Sequence, residues 1–283
     1  MSSIKLPGSY TEHMFTHISL SHHPSSSQTV TPVIVITLDR IEKSNAFTSE
    51  MEHSLVEAFD LLDIDDRVKV IVVTGKGRMF CAGADLDIGF NRNNTRDKDN
   101  RDGGGRVSLA INRCRKPTIA AIQGPAVGVG ITMTLPMTIR IAYEKAKIGF
   151  VFGQRGLIME ACSSFFLPRL VGHSKALYLT TTAALELATQ IVSKTSPIST
   201  YLMRELMYRG PSSAEGTHLL DSLLMVQLYD KEDKQEGVNS FIEKRPANFR
   251  GNFDTGLPPV VPWWEPVNVV PPRIEARTGK SKL

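Results

Sequence analysis

The chain has 283 residues, of which 41 % are hydrophobic and 22 % charged, so it resembles an average soluble globular protein and is long enough for one large domain or a core with an appendage. Its net charge of +4 is too small, and its basic residues too scattered, to indicate a nucleic-acid-binding protein. The three widely spaced cysteines do not predict a disulfide framework, the histidines match no metal-binding motif, and no apolar run approaches the length of a membrane span. We therefore expect a soluble intracellular protein without a bound metal.

Short apolar segments rich in β-branched residues recur through the first half of the chain, each bounded by proline, glycine or charged residues. Such segments are typical of buried β-strands. Apolar residues also recur every three to four positions from Ser49 to Ile64, which predicts an amphipathic helix with Thr48 or Ser49 as its N-cap. The alternation of strand and helix predicts an α/β architecture. The predicted strands cover residues 33–38, 69–74, 118–122, 138–143 and 148–152.

The second half of the chain is predicted to be mostly helical, because apolar residues recur at three- and four-residue intervals in four segments. After Arg250 frequent prolines replace this pattern, so we expect an extended tail that does not fold by itself. Trp263 and Trp264 in this tail are expected to pack against the body of the protein or a neighbouring subunit. The predicted helices cover residues 174–188, 199–208, 214–229 and 235–244.

Two polar segments are predicted to lack regular structure. Residues 1–29 are interpreted as a flexible lead-in, and residues 91–106, which are almost entirely Asn, Arg, Asp, Lys and Gly, predict a mobile surface loop. The expected organisation is a flexible N-terminal segment (1–29), an α/β core (30–198), a C-terminal helical region (199–250) and a proline-rich tail (251–283).

The last three residues, Ser281-Lys282-Leu283, match the tripeptide that the peroxisomal import receptor reads. The alternative is a chance tripeptide on a disordered tail. Because the preceding residues are polar enough to reach a receptor, we expect a peroxisomal protein that binds this receptor.

Two glycine-rich segments, residues 80–86 and 124–130, each follow an apolar strand-like run. Glycine permits tight turns and lets a ligand approach the main chain, and N–H groups in the first turn of a helix have no intrahelical acceptor. Each segment alone is equally well explained as a tight turn. Their pairing favours a site where two backbone N–H groups hold one developing oxyanion.

Taken in order, the motifs of this chain resemble those of the crotonase superfamily, the enoyl-CoA hydratase/isomerase proteins, over residues 30–250. The resemblance implies a crotonase-like fold of repeated ββα turns with a C-terminal helical region that forms trimers or dimers of trimers. It also extends to fungal peroxisomal proteins that tailor polyketide-derived or fatty-acid-derived toxins. The motifs that carry it are residues 36–40 with 44–47, 80–86, 123–130, 156–161 with 166–172, and 236–238 with 241–245.

The resemblance also implies which residues act on an acyl-CoA thioester. By position, the N–H groups of Ala84 and Val129 hold the carbonyl oxygen; family members usually have glycine at the second position, but the donor is a backbone group. The two glutamates of the family's hydratases are replaced here by Thr132 and Phe152. The remaining carboxylate is Glu160, whose position resembles that of the catalytic aspartate of dienoyl-CoA isomerases, and we interpret it as general base and acid. From the residues alone, a surface glutamate at a loop or helix start is the alternative.

Further residues are predicted to surround the substrate. Arg40 and Lys43 are candidate contacts to the phosphates of CoA, although solvated charges are the commoner interpretation. Asp85 is expected to order its loop, Arg155 to be an ion-pair partner or substrate contact, and Cys162 to be a small buried residue rather than a nucleophile. The predicted substrate-binding residues are Ala82, Gly83, Ala84, Asp85, Leu86, Gly128, Val129, Thr132, Phe152, Arg40 and Lys43.

The function implied is isomerisation or hydration of an enoyl-CoA or dienoyl-CoA thioester through an enolate. A single carboxylate suits the transfer of one proton between carbons, which favours an isomerase over a hydratase. The alternatives are a non-catalytic acyl-CoA binder or assembly partner, and a thioester hydrolase or decarboxylase. No cofactor is expected beyond the coenzyme A that the substrate carries.

Overall fold

A computed structural model describes residues 6–88, 100–181 and 194–265 of the chain. Its main sheet has five strands in the order β1-β2-β3-β4-β6, in which β1 is antiparallel to β2 and the other pairs are parallel. A separate parallel pair joins β5 to β7. The strands are β1 (Ile18–His23), β2 (Val33–Leu38), β3 (Val70–Gly75), β4 (Thr118–Ile122), β5 (Ala126–Val127), β6 (Ile139–Ala142) and β7 (Ile148–Gly149).

Helices pack around this sheet and dominate the second half of the described chain. The first helix has the predicted bounds, and the Thr48 hydroxyl accepts a 3.1 Å hydrogen bond from the Met51 N–H, as expected of an N-cap. The helices are α1 (Ser49–Ile64), α2 (Gly103–Arg113), α3 (Val129–Thr132), α4 (Ser163–Val171), α5 (His173–Thr181), α6 (Pro197–Arg209), α7 (Ala214–Leu228) and α8 (Glu232–Ile242).

The sequence patterns located most of these elements to within a few residues. The predicted strands 33–38 and 118–122 have the observed bounds, but the one at 148–152 ends after Gly149 and gives way to a 3₁₀ turn at Gly153–Arg155. Helix α5 covers residues 174–181 of the predicted helix 174–188, and the remainder lies outside the described residues. These results confirm the α/β architecture with a helical C-terminal region.

Residues 6–29 differ from the flexible lead-in that the sequence suggested. Strand β1 adds to the edge of the sheet beside β2, and Ile18 and Leu20 turn into the core. Tyr10 is fully buried and donates a 3.0 Å hydrogen bond to Oδ2 of Asp65. The strand was missed because only two apolar residues alternate in it, and its stability depends on pairing with β2 rather than on its own pattern.

Residues 100–106 also differ from the mobile surface loop that was predicted for residues 91–106. Residues 103–106 form the first turn of α2, and Asn100, Gly104 and Gly105 are buried. Polar residues can enter a protein interior when each of them finds a hydrogen-bonding partner, and composition alone does not show this. The rest of the predicted loop, residues 91–99, lies outside the described residues.

The start of the tail packs against the body of the protein, as expected for the two tryptophans. The Trp263 indole N–H donates a 3.1 Å hydrogen bond to the Arg209 carbonyl oxygen, and the Arg209 guanidinium lies 5.0 Å from the Trp264 ring centre. Residues 266–283, including Ser281-Lys282-Leu283, lie outside the described residues. In the part of the chain that is described, no helix has the length and apolar character needed to cross a membrane.

The sheet topology brings three loops to one edge. Strands β2, β3 and β4 are parallel, so the loops that follow their carboxyl ends leave the sheet on the same side. The loop after β2 carries Arg40, the loop after β3 carries the first glycine-rich segment, and the loop after β4 carries the second. A functional site is therefore expected at this edge.

Candidate active site

The first glycine-rich segment forms a corner centred on Ala84. The Phe47 N–H donates to the Gly83 carbonyl oxygen at 2.8 Å, and the Asp85 N–H donates to the Phe47 carbonyl oxygen at 3.1 Å. These two bonds bracket Ala84, so its own N–H points away from Phe47. Gly83 has a φ of +96°, a conformation that a side chain would disfavour.

The second glycine-rich segment forms another corner at the start of α3. Gly128, with a φ of +54°, precedes Val129, which is the first residue of this helix. A Cβ added to Gly128 would lie 3.9 Å from Cα of Gly83, so the two corners lie side by side. Within residues 6–88, 100–181 and 194–265, neither Ala84 N–H nor Val129 N–H has a protein acceptor.

Glu160 lies on an unusual turn just before α4. The next two residues, Ala161 and Cys162, both have left-handed backbone conformations, with φ of 56° and 55°. Consecutive residues other than glycine rarely adopt this conformation, and such strain concentrates at functional sites. The Ser163 side chain and N–H both donate to the Glu160 carbonyl oxygen, at 2.5 and 3.0 Å, which holds the turn in place.

The Glu160 side chain is buried, with 8 % of its residue surface exposed, and the alternative of a surface glutamate is wrong. The Thr132 hydroxyl donates a 2.8 Å hydrogen bond to its Oε1. Burial is the main cause that raises the pKa of Glu160 to about 8; the negative charge of Asp102 also raises it, and the Thr132 hydrogen bond lowers it. A carboxyl with this pKa can both release and take up a proton near neutral pH.

Helix α2 completes the surroundings of Glu160 through a close backbone approach. A Cβ added to Gly104 would overlap Oε2 of Glu160 and lie 3.0 Å from Cγ2 of Val129. Gly104 therefore contacts the carboxyl group and the second corner together. Since Thr132 belongs to the same short helix as Val129, the second corner and Glu160 form one contiguous site.

A network of buried polar side chains behind Glu160 was not predicted from the sequence. Oδ2 of Asp102 lies 3.1 Å from Nδ1 of His218 and accepts a 3.0 Å hydrogen bond from the Ser222 hydroxyl, while Oδ1 accepts a 2.6 Å bond from the Gly105 N–H. Burial raises the pKa of Asp102, but the hydrogen bond and charge of His218 outweigh it and leave the pKa below its ordinary value. The available signal was an aspartate directly before a run of three glycines, the pattern of an N-cap with close packing behind it.

A second aspartate in this network behaves differently. Asp221 accepts hydrogen bonds from the Ser164 hydroxyl, at 3.1 Å to Oδ1 and 3.3 Å to Oδ2. Burial and the negative charge of Asp102 raise its pKa well above the ordinary value. The pKa values of the two aspartates are therefore shifted in opposite directions.

The charged residues near the first corner form ion pairs. Arg40 donates to Oδ2 of Asp85 at 2.6 Å and to the carbonyl oxygen of Ala46 at 3.2 Å, so it is engaged inside the protein rather than solvated. Asp85 also accepts a 3.0 Å hydrogen bond from the Asp87 N–H and orders its loop, as predicted. Lys43 pairs with Asp87 at the surface, at 2.6 Å. Binding of CoA phosphates by Arg40 or Lys43 stays a prediction.

Three further residues that were predicted near the site are packed inside the protein or against an aromatic ring. Cys162 is fully buried, as predicted, and burial raises the pKa of its thiol. The Arg155 guanidinium lies 3.8 Å from the centre of the Phe241 ring, which is a cation–π contact. The predicted ion pair is not found among the described residues, and the alternative of a substrate contact stays a prediction. Phe152 is buried directly before the 3₁₀ turn. None of these three arrangements gives a group that transfers protons.

The sequence of this chain is similar to those of proteins in one known family. The model for enoyl-CoA hydratase/isomerase proteins matches residues 28–185. The enoyl-CoA hydratase AFT3-1 of Alternaria alternata is 46 % identical over 246 residues, which cover 77 % of this chain and 83 % of that protein. The 1,2-epoxyphenylacetyl-CoA isomerase of Escherichia coli is 30 % identical over 257 residues, which cover 77 % of this chain and 95 % of that protein.

The fold of this chain is also similar to that of a solved structure. The crystal structure of an enoyl-CoA hydratase/isomerase from Pseudoalteromonas atlantica matches with a TM-score of 0.64 at 24 % sequence identity, covering 83 % of this chain and 100 % of that one. Its α/β architecture is that of this chain. The expected resemblance is thus confirmed, and the chain belongs to the enoyl-CoA hydratase/isomerase family of the crotonase superfamily.

Proposed function

We propose that this enzyme isomerises the double bond of an enoyl-CoA or dienoyl-CoA thioester, with Glu160 as the group that moves the proton. Membership of the family supports an acyl-CoA enzyme of the hydratase/isomerase type. The observation that carries the narrower proposal is the buried Glu160 carboxyl, bonded to Thr132 beside the second corner. The positions of the two hydratase glutamates hold Thr132 and Phe152, so one carboxyl has to serve both proton transfers.

The proposed role of the two corners follows from their free N–H groups. Removing a proton from the α-carbon of a thioester places negative charge on the carbonyl oxygen. Two fixed donors, Ala84 N–H and Val129 N–H, stabilise that charge, and each such donor is worth roughly 2.7–4 kcal/mol of the barrier. Because the donors belong to the backbone, valine in place of the usual glycine leaves the hydrogen bond available.

One carboxyl group is then enough for both proton transfers, first as a base and then as an acid. For a 3-enoyl thioester, the Glu160 carboxylate takes a proton from C2, and the electron pair moves into the C2–C1 bond and onto the carbonyl oxygen as a dienolate. The protonated Glu160 next gives a proton to C4, and the electrons form the C2–C3 double bond. The product is the 2-enoyl thioester, no water is consumed, and Glu160 returns to its carboxylate form. A positioned carboxyl contributes roughly 10²–10⁴-fold to such a step.

Hydration is the second candidate, and the names of relatives such as the Alternaria alternata enoyl-CoA hydratase favour it. In that reaction a water held by Glu160 and the Thr132 hydroxyl adds to C3 of a 2-enoyl thioester. The two reactions share the oxyanion site and differ in whether the product gains a water.

The test is to incubate the protein with 2-enoyl-, 3-enoyl- and dienoyl-CoA thioesters in deuterated water and to measure the product masses. We expect a shifted double bond without the mass of a water, and deuterium at C4 in the fraction of turnovers in which the Glu160 proton exchanges with solvent before it is transferred. Glu160→Gln is expected to lose the reaction while the protein still binds the thioester. Glu205→Gln changes another buried glutamate, which pairs with Arg209, and serves as the matched control. Conversion by Glu160→Gln at the parent rate would refute the assignment of the base, and release of free CoA would indicate a hydrolase.

For the cellular setting, we propose a peroxisomal enzyme that modifies fatty-acid-derived or polyketide-derived secondary metabolites. The Ser281-Lys282-Leu283 motif supports the compartment, and the resemblance to fungal peroxisomal proteins supports the class of metabolite. A fluorescent protein fused to the N-terminus is expected to enter peroxisomes, and removal of these three residues is expected to leave it in the cytosol. Import of the truncated fusion would contradict this assignment.

A further inference from the structure

We propose that Asp102 is a positioning residue for Glu160: it fixes the start of α2 against the Glu160 carboxyl and holds a carboxylate, paired with His218, behind it. This inference rests on the proposed role of Glu160 as proton carrier. It concerns a residue that touches neither the corners nor the substrate carbonyl. Three sets of observations support it.

The first is the anchoring of Asp102 between α2 and α7. Asp102 is the N-cap of α2 and bonds the Gly105 N–H, while Ser222 of α7 both accepts from the Asp102 N–H at 2.9 Å and donates to its side chain. Asn100 adds a 3.0 Å hydrogen bond to the Ser222 carbonyl oxygen. His218, one turn earlier on α7, closes the cluster. The start of α2 is thus fixed to α7 by side chains rather than by apolar packing alone.

The second is what the glycines of this turn contact. A Cβ on Gly104 would overlap Oε2 of Glu160, and a Cβ on Gly105 would overlap Nδ1 of His218. The α2 backbone therefore contacts the Glu160 carboxyl at Gly104, and at Gly105 it contacts His218, the partner of Asp102. Any shift of the Asp102 anchor moves the surface against which the Glu160 carboxyl rests.

The third is the pattern of charge around Glu160. The titratable groups whose own pKa values are raised by the charge of Glu160 come from the first corner, from the residue before α4 and from α7 with its C-cap. Burial raises the pKa of the Cys81 thiol to about 12, that of the Tyr229 hydroxyl to about 12, and that of the Cys162 thiol further, so these three groups are neutral near pH 8. Burial also raises the pKa of Asp221 well above its ordinary value. Asp102 differs, because its hydrogen bonds and the charge of the neighbouring His218 hold its pKa below the ordinary value in spite of burial. Burial raises the pKa of Glu160 most, and within the described residues Asp102 is the carboxylate whose charge raises it further.

These observations give the two buried aspartates opposite roles. Asp102→Asn removes a negative charge while an amide oxygen still caps the helix. Asp221→Asn changes the second buried carboxyl of the cluster, whose pKa burial and Asp102 raise well above its ordinary value, to an amide of the same shape. The pair therefore separates an effect of charge from a general effect of altering the buried network.

The experiment titrates Glu160 directly by infrared spectroscopy, using the carbonyl stretch of its protonated carboxyl, identified as the band that Glu160→Gln lacks. We expect Asp102→Asn to move the midpoint of this titration to lower pH by on the order of one pH unit. Asp221→Asn is expected to leave it unmoved. If Asp102→Asn fails to fold, Asp102→Ser keeps an N-cap hydroxyl without the charge and is expected to give the same shift.

An unmoved midpoint in the Asp102 variant, or an equal shift in both variants, would overturn the inference. The infrared titration measures the protonation of Glu160 and not turnover. Its result therefore remains valid if the enzyme catalyses a different reaction of a thioester. With an active substrate, the acidic limb of kcat/KM against pH should move with the infrared midpoint. An infrared shift without a change in that limb would contradict the proposed role of Glu160 in catalysis, and leave the inference about Asp102 in place.

Discussion

The Thr132 hydroxyl donates a 2.8 Å hydrogen bond to Oε1 of Glu160, and this bond joins the helix of the second corner to the turn that carries the acid. The family resemblance predicts that Thr132 occupies the position of a carboxylate in the family's hydratases. Here a neutral donor orients the remaining carboxyl and lowers its pKa against the effects of burial and of Asp102. The threonine and the glutamate therefore operate as one unit.

Replacing Thr132 by valine removes that hydrogen bond at nearly constant volume. We expect the pKa of Glu160 to rise, so the acidic limb of the pH–rate profile shifts upward, on the order of one pH unit for a lost hydrogen bond to a charged group. The rate near pH 7 falls because less carboxylate is present. Measuring kcat/KM across the pH range checks this.

Thr134→Val is the matched control, because the Thr134 hydroxyl is also buried but donates to the Ile131 carbonyl oxygen at 2.8 Å. We expect no movement of the acidic limb in this variant. A shift of similar size in both variants would mean that the effect comes from repacking and not from the bond to Glu160.

Glu160→Gln is expected to stabilise the protein at alkaline pH. The folded-state pKa of about 8 lies above the ordinary value of about 4.3, so the folded protein favours the protonated side chain. The stability that this proton provides is complete below about pH 4.3 and is lost as pH rises through 8. Glutamine keeps a neutral side chain at every pH, so the gain in the free energy of unfolding should grow between pH 5 and 9 to on the order of a few kcal/mol.

Urea unfolding of the parent and of Glu160→Gln at several pH values measures this difference. The two curves should converge below pH 5. A difference that does not depend on pH would show that Glu160 titrates near its ordinary value in the folded protein.

Gly104→Ala is expected to reduce turnover by about 10²-fold, because the added methyl group displaces the Glu160 carboxyl and misplacing a catalytic group by about 1 Å has this effect. Gly103→Ala tests the specificity of the argument. Its methyl group would overlap Oε2 of Glu52, which pairs with Arg106, and not Glu160. Steady-state rates, with thermal unfolding of both variants, check this prediction; equal losses of kcat in two folded variants would contradict it.

Arg40→Met is expected to destabilise the protein, because it leaves the buried Asp85 carboxylate without its partner. The loss should be on the order of 2 kcal/mol. Lys43→Met breaks a pair at the surface and should leave the unfolding midpoint close to that of the parent. If both variants unfold like the parent, the ion pair of Arg40 does not order the first corner.

The strands and helices with strong local patterns could be predicted from the sequence. The apolar run of residues 33–38 and the periodicity from Ser49 to Ile64 specify their elements without reference to the rest of the chain. Strand β1 could not be predicted in this way, because its two inward apolar residues become a strand only when β2 supplies the hydrogen bonds.

The sequence by itself determined the family, most of the strands and helices and the two glycine-rich segments, because these depend on local residue patterns that survive in the linear chain. The tertiary structure alone decided that Glu160 is buried and that its pKa is raised, since both depend on which groups surround it. It also decided that Asp102 and His218, 116 residues apart, form a pair behind it. Burial and electrostatic interactions join residues that are distant along the chain, and no local pattern records them.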